Sequence, residues 1–262
     1  MPSTSVNGTS ISYSDSSGDG PAVVLSHGYL MDSAMFAPQV AALAPEYRVI
    51  AWDARGFGGT KATGPFSYWD SARDVLALLD QLGIDRAVLG GMSQGGFVSL
   101  RAALLAPERV RGLVLIDTQA GTENPEVAPA YEQLDQTWME HGPGPVQDIV
   151  ASIILGPPDG PVDYAPWFAK WAAIDRDELH LSFRCLMDRD DITGRLGEIS
   201  CPALIVHGTA DAAIPMERAE AVQAGLGGPA ALVQIDGASH AANLSNPDQV
   251  NVAMLEFLRS LP

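Results

Sequence analysis

The chain has 262 residues, 47% of them apolar and 18% charged, with a formal net charge of −17. That length supports a sizeable buried core, as one large domain or a domain with an insertion. A surface this acidic repels phosphate backbones and anionic bilayers, so it argues against a nucleic-acid or membrane partner, and the charge reads as solubility.

MPSTSVNGTS, at the start, has neither a basic opening nor an apolar core, so no secretory leader is expected. No apolar run reaches the roughly 18 residues needed to span a membrane. A soluble cytoplasmic protein is the expectation. Cys185 and Cys201 form no disulfide framework and match no metal spacing, and each reads as a small buried apolar residue.

Asn7-Gly8 lies between short alternating runs, a hairpin signal that predicts an antiparallel start. Ala22 to Leu25 (AVVL) and Tyr47 to Trp52 (YRVIAW) read as strands buried on both faces. Helical spacing lies between them from Ser33 to Ala44. Asp70 to Leu82 is an amphipathic helix. Ala87 to Leu89 is a strand, Phe97 to Leu105 a helix and Leu113 to Ile116 (LVLI) a strand. This alternation predicts a parallel sheet covered by helices. It stops near Gln119 and returns with strands at Ala203 to Val206 and Leu232 to Ile235, then a helix from Pro247 to Leu258. Between lies a helical insertion with Pro/Gly breaks and three of the five tryptophans, predicted to cap one end of the sheet. The expected organisation is a core of 1–119 and 196–262 with a helical cap of 120–195.

One stretch stands out. GGMSQGG, Gly90 to Gly96, surrounds Ser93 with glycines. G-x-S-x-G alone is a weak signal, but here it follows a strand and opens a helix. Such a turn strains the serine backbone, and glycine at Gly91 and Gly95 removes the clash where strand and helix cross. The helix N-terminus offers free N–H groups and a positive dipole end. A serine hydroxyl needs a base, and the base needs an orienting acid. His240, in DGASHAAN, follows the last strand at the same sheet end. Asp211, in HGTADAAIP, follows the strand before it. Ser93, Asp211, His240 is the Ser…Asp…His order of this architecture. Asp117, after strand 113–116, is a rival acid whose simpler role is to cap the next segment.

Five motifs in order now carry a resemblance: SHGYLMDSAMF (26–36), WDARGFGGT (52–60), GMSQGG, HGTAD and GASH. The chain resembles the α/β-hydrolase superfamily over nearly its full length. HGYLMD looks closest to small aryl- and carboxylesterases and their perhydrolase relatives, and APQVAALAPEYRVIAWDARGFG resembles 3-oxoadipate enol-lactonases. The chain departs from the latter at His27-Gly28 and from perhydrolases at Leu30, where they typically carry proline. Dehalogenases and epoxide hydrolases share the fold but use aspartate as nucleophile, and Ser93 argues against both. The resemblance implies a mostly parallel eight-stranded sheet flanked by helices. It also implies an oxyanion hole formed by the Tyr29 and Gln94 backbone N–H groups, with no cofactor or metal.

The remaining candidates read more plainly. His27 and His207 end strands and are expected to brace loops, while His141 and His180 lie in the insertion. GFGGTK lacks the phosphate-loop spacing, and no Cys/His cluster or H-E-x-x-H suggests a metal. Asp188 to Asp191 (DRDD) reads as a solvated junction. Leu30, Trp138, Trp167 and Trp171 are the expected substrate pocket, with Met139, Phe168 and Phe183 near it, although the tryptophans equally suit a small core for the insertion. The expected function is ester hydrolysis by Ser93, Asp211 and His240 on a small-molecule ester or lactone. Enol-lactone or C–C bond hydrolysis is the nearest alternative, and a ligand-binding protein on the same fold is an alternative of another class.

Overall fold

The computed structural model describes all 262 residues. In chain order the first half holds β1 (Ser3–Val6), β2 (Thr9–Asp15), β3 (Ala22–Ser26), α1 (Ala37–Leu43), β4 (Arg48–Trp52), α2 (Tyr68–Gln81), β5 (Ala87–Met92), α3 (Gln94–Leu105) and β6 (Val110–Ile116). Four helices follow: α4 (Ala128–His141), α5 (Gln147–Leu155), α6 (Ala165–Ala173) and α7 (Arg176–Met187). The chain closes with β7 (Ala203–Gly208), α8 (Met216–Gly225), β8 (Ala230–Ile235), α9 (Ala242–Ser245) and α10 (Pro247–Ser260). No helix is long and apolar enough to cross a membrane.

The eight strands form one sheet in the order β1-β2-β4-β3-β5-β6-β7-β8. β1–β2 and β2–β4 are antiparallel and all other pairs parallel. The N-terminal hairpin turns at Asn7 and Gly8, both at positive φ (46° and 78°), as the Asn-Gly pair demands. Alternate residues of the parallel strands enter two cores. Val23, Leu25, Val114 and Val206 face α1 and α10, while Val24, Ile50, Leu113 and Ile205 face α2, α3 and α8. Burial on both faces is why these strands read as unbroken apolar runs.

Among the element boundaries that differ from the expected ones, two do so for plain local reasons. The expected helix over 33–44 divides into a 3₁₀ turn at Ser33–Phe36 and then α1. The Asp32 carboxylate accepts from Ala34 N–H (2.9 Å) to start the first, and Pro38 enters the first turn of the second. α2 starts at Tyr68, two residues early. There Ser67 and Asp70 form a reciprocal cap, with Asp70 accepting from Ser67 N–H at 2.9 Å.

The order of β3 between β4 and β5 makes this the point where the sheet's winding reverses. Loops leaving the C-terminal ends of β3 and β5 diverge there and leave a crevice. Tyr29 lies on the first loop and Ser93 on the second. Helices α4 to α7 sit between β6 and β7 in the chain and lie against the loop after β3 and the loop after β8. The Trp171 indole N–H donates to Leu30 C=O (2.6 Å), and Ala241 N–H donates to Ile154 C=O (2.8 Å). The segment leaves and rejoins the core at one place, where Ile192 N–H donates to Ala120 C=O (3.1 Å).

α3 crosses β3 and β5 at backbone contact. A Cβ on Gly95 would overlap Ser26 C=O, and one on Gly91 would overlap the Gly95 peptide. Gly95→Ala therefore forces backbone movement at the centre of the sheet. It is expected to cost about 3 kcal/mol, read as a lower urea midpoint; an unchanged midpoint would show that α3 has room to shift.

Candidate active site

Ser93 occupies the single-residue bend between β5 and α3, at φ 51° and ψ −116°, a region that a residue with a Cβ seldom visits. Neighbouring elements hold it there. Its N–H donates to Ile116 C=O (2.9 Å), and its C=O accepts from the Thr118 hydroxyl (2.7 Å). The bend leaves Ser93 8% exposed, at the mouth of a cavity. Gln94 is the first residue of α3, so its N–H has no acceptor within its own helix, and the dipole's positive end lies beside Ser93.

The facing loop is fixed by His27 and Leu30. Ala54 N–H donates to His27 Nε2 (2.9 Å), so Nδ1 carries the proton and donates to Gly28 C=O (2.7 Å). Burial lowers the His27 pKa, which keeps the ring neutral for this role. Leu30 takes φ 63°, and its C=O is held by Trp171. Between them, the Tyr29 N–H donates to no backbone acceptor. Both amides expected for an oxyanion hole thus follow the C-terminal ends of adjacent strands, β3 and β5.

Asp211 and His240 meet after β7 and β8. Asp211 Oδ2 lies 2.8 Å from His240 Nδ1, and its Oδ1 accepts from Ala213 and Ile214 N–H (2.8 and 2.9 Å). Burial works to raise the Asp211 pKa, but the His240 charge and these hydrogen bonds outweigh it and leave the group below the ordinary value. His240 is 5% exposed and lines the same cavity as Ser93, without a hydrogen bond between the two side chains. In unliganded enzymes such hydrogen bonds are often long and tighten only when substrate binds.

Asp117, the rival acid, has a different environment. It sits at φ 47° with no exposed surface. Its Oδ1 accepts from Gly208 N–H (2.7 Å) and its Oδ2 from Ala242 N–H (3.0 Å). It thereby ties the Asp211 loop to the His240 loop, and neither oxygen turns to the imidazole. His207 lies behind both acids. Its Nε2 is 2.8 Å from Ile214 C=O and 3.4 Å from Asp211, and its Nδ1 is 3.8 Å from Asp117. One donor atom from each of Asp117, His207 and Asp211 falls within 4.8 Å of the others. The carboxylate oxygens of that cluster are already committed to backbone N–H groups and His240, so the donors present do not fit a bound cation.

The cavity at Ser93 holds about 890 Å³ of space between atoms, part of it open to solvent, and 15 of its 19 lining residues are hydrophobic. Leu30 and Trp138 are in the wall. Trp167 and Trp171 are not, which corrects the expected pocket. Trp171 is fully buried behind the wall, packed on Trp138 (centroids 5.9 Å) with its N–H on Leu30. Trp167 lies farther out under the Lys170 ammonium (4.5 Å). Of the other aromatic and methionine candidates, Phe183 lines the cavity, whereas Met139 and Phe168 do not. Three of the residues missed follow a legible pattern: Tyr131, Leu134 and Asp135 stand at i, i+3 and i+4 on α4, on the helical face that Trp138 completes at i+7.

Comparison with known proteins gives matches along the whole chain. The family model described as the alpha/beta hydrolase fold matches residues 21–152, and one described as TAP-like protein matches residues 188–261. The RutD protein of Pseudomonas savastanoi pv. phaseolicola, which carries the name carbamate hydrolase, is 29% identical over 92% of this chain and 95% of its own. Among solved structures, the enol-lactonase from Burkholderia xenovorans LB400 is similar at a TM-score of 0.89 and 28% identity, over 99% of this chain and 100% of its own. A thermophilic esterase from Thermogutta terrifontis is similar at 0.88 and 28%, over 98% and 96%.

The two acids give opposite pH signatures. Burial and the neighbouring Asp211 charge push the Asp117 pKa well above the ordinary carboxylate value. A raised folded-state pKa contributes stability that is full below the unfolded value and is lost as pH rises through the folded one. Asp117→Asn does not titrate. It destabilises by losing one backbone acceptor, and that destabilisation is expected to shrink as pH rises above the ordinary carboxylate range in urea titrations. A penalty constant with pH would show that Asp117 titrates alike folded and unfolded.

Proposed function

Because the chain belongs to the α/β-hydrolase family, we propose that it is a serine hydrolase that cleaves carboxylic esters through an acyl-enzyme. Ser93 is the nucleophile, His240 the base and Asp211 the orienting acid. The observation that carries this reading is the 2.8 Å contact of Asp211 Oδ2 with His240 Nδ1, beside a cavity that the strained Ser93 also enters. A carboxylate on Nδ1 fixes the proton there and leaves the Nε2 lone pair for the serine.

The reaction follows from the groups present. Ser93 Oγ attacks the ester carbonyl carbon as His240 Nε2 takes its proton. The oxyanion that forms is held by the N–H groups of Tyr29 and Gln94, and one such donor typically contributes about 10²–10³ in rate. The intermediate collapses, the C–O bond breaks, and the imidazolium gives its proton to the leaving alkoxide. Water, deprotonated by His240, then hydrolyses the acyl-enzyme. The chemistry needs no cofactor or metal. In this reading residues 120–195 act as a cap that covers the substrate, a small molecule. Lactones are the second substrate class, favoured by the likeness to the enol-lactonase structure, since the same steps open a ring ester.

The test is pre-steady-state hydrolysis of a short aryl ester. A burst of leaving group equal to the enzyme concentration is expected, with turnover lost by about 10⁴-fold or more in Ser93→Ala. Equal residual rates in the two proteins would remove Ser93 as nucleophile. Asp211→Asn is expected to lower kcat by about 10³–10⁴-fold and Asp117→Asn by no more than about tenfold. Similar losses in both would show that the acid has been assigned to the wrong carboxylate.

A further inference from the structure

The cavity at Ser93 carries an unexplained polar group at a distance from the reacting atoms. Apart from Ser93, His240 and the phenols of Tyr29 and Tyr131, the only polar residues in its wall are Glu123 and Asp135, and no lysine or arginine is among them. Glu123 is already paired, with Arg189 Nη2 at 2.7 Å. Asp135 is not fully paired. It is 8% exposed, on the face of α4 that lines the cavity. His180 Nδ1 on α7 lies 2.9 Å from its Oδ2 and holds the carboxyl in place from the outside, whereas Oδ1 is sealed from solvent and has no hydrogen-bond partner.

A buried carboxyl oxygen without a donor is unusual in folded proteins and points to a donor that arrives from elsewhere. Asp135 shares that wall with the aliphatic and aromatic side chains of Leu134, Trp138, Leu179 and Phe183. Tyr29 lines the same space. Burial and the Asp135 charge together push its phenol well above the ordinary tyrosine value, so it stays an O–H group.

We propose that Asp135 is a specificity-determining residue. It accepts a hydrogen bond from a hydroxyl or amine on the part of the substrate remote from the scissile bond, and it rejects substrates that carry a carboxylate there. The inference rests on the reading of Ser93 as nucleophile at this cavity and names the substrate class of that site: esters with an apolar chain ending in a neutral or cationic hydrogen-bond donor. The rejection follows from the wall. An incoming carboxylate would meet Asp135 in a low-dielectric cavity with no cation to compensate it. The attraction follows from the free lone pairs on Oδ1, since a buried acceptor discriminates strongly between ligands that satisfy it and ligands that do not.

The experiment compares 4-nitrophenyl esters of hexanoic acid, 6-hydroxyhexanoic acid and adipic acid, which differ only at the far end. In the wild-type protein kcat/KM for the hydroxyl ester is expected to exceed that for the plain ester by about tenfold. The carboxylate ester is expected to fall at least about 100-fold below it. Asp135→Leu should invert the first ratio. Asp135→Asn, which keeps the shape and an acceptor, should retain the hydroxyl preference and recover at least about tenfold on the carboxylate ester. Ratios unchanged in both variants, or a wild-type preference for the carboxylate ester, would overturn the proposal.

A second measurement separates this from failure of the serine reading. Calorimetric binding of hexan-1-ol, hexane-1,6-diol and hexanoate to Ser93→Ala needs no turnover. The diol is expected to bind most tightly and hexanoate least, and the order should collapse when Asp135→Leu is added. If no ester is turned over yet that order holds, Asp135 stands and the nucleophile falls. If esters are turned over without the ratios, the reverse is true. If neither turnover nor the binding order appears, both fall.

Discussion

Backbone contact between α3 and the strands beneath it sets the rest of the site. Gly91 and Gly95 have no Cβ, so the helix starts directly over the β3–β5 pair, and the chain has a single residue in which to turn from strand to helix. That residue, Ser93, is forced to positive φ, and its peptide is secured to β6 through Ile116 and Thr118. The strain is small beside the burial of the sheet, whose two faces hold the bulk of the apolar side chains. One consequence is chemical. The same bend that exposes the hydroxyl brings the first free amide of α3 opposite the Tyr29 loop, because β3 and β5 are neighbours in the sheet.

Two buried aspartates divide the work behind the histidine. Asp211 spends one oxygen on its own loop and the other on His240. Asp117 spends both on backbone amides of the two loops that must stay together. Their environments push their pKa values in opposite directions, Asp211 down through its imidazole partner and Asp117 up through burial beside a second acid. Such a separation lets adjacent carboxyls hold different charge states at one pH. His207, wedged between them with one ring nitrogen unpartnered, braces the Asp211 loop through Ile214.

The helical segment between β6 and β7 contributes most of the cavity's far wall, and its tryptophans have separate tasks. Trp138 faces the cavity. Trp171 stands behind it and reaches through to Leu30, so it couples the segment to the loop that carries the Tyr29 amide. A mostly apolar wall makes the placement of each polar atom matter, since a buried polar group without a partner is costly in such surroundings.

Much of this was legible in the chain itself. The alternation of strands and helices, the Asn-Gly hairpin, the glycines around Ser93 and the order Ser93, Asp211, His240 follow from local chemistry: apolar periodicity, positive φ at particular residues, and a turn too tight for a Cβ. The stripe Tyr131, Leu134, Asp135, Trp138 was also present as a pattern, but periodicity alone does not say whether a helical face meets a core or a cavity. Tertiary structure decided what depends on distance across the sheet. It put Asp211 rather than Asp117 on His240 Nδ1, because the ends of β7 and β8 lie side by side while the Asp117 oxygens are taken by amides 91 and 125 residues away. It also withdrew Trp167 and Trp171 from the pocket, because the packing of α6 against the Leu30 loop turns one indole into a buried anchor and leaves the other outside the wall.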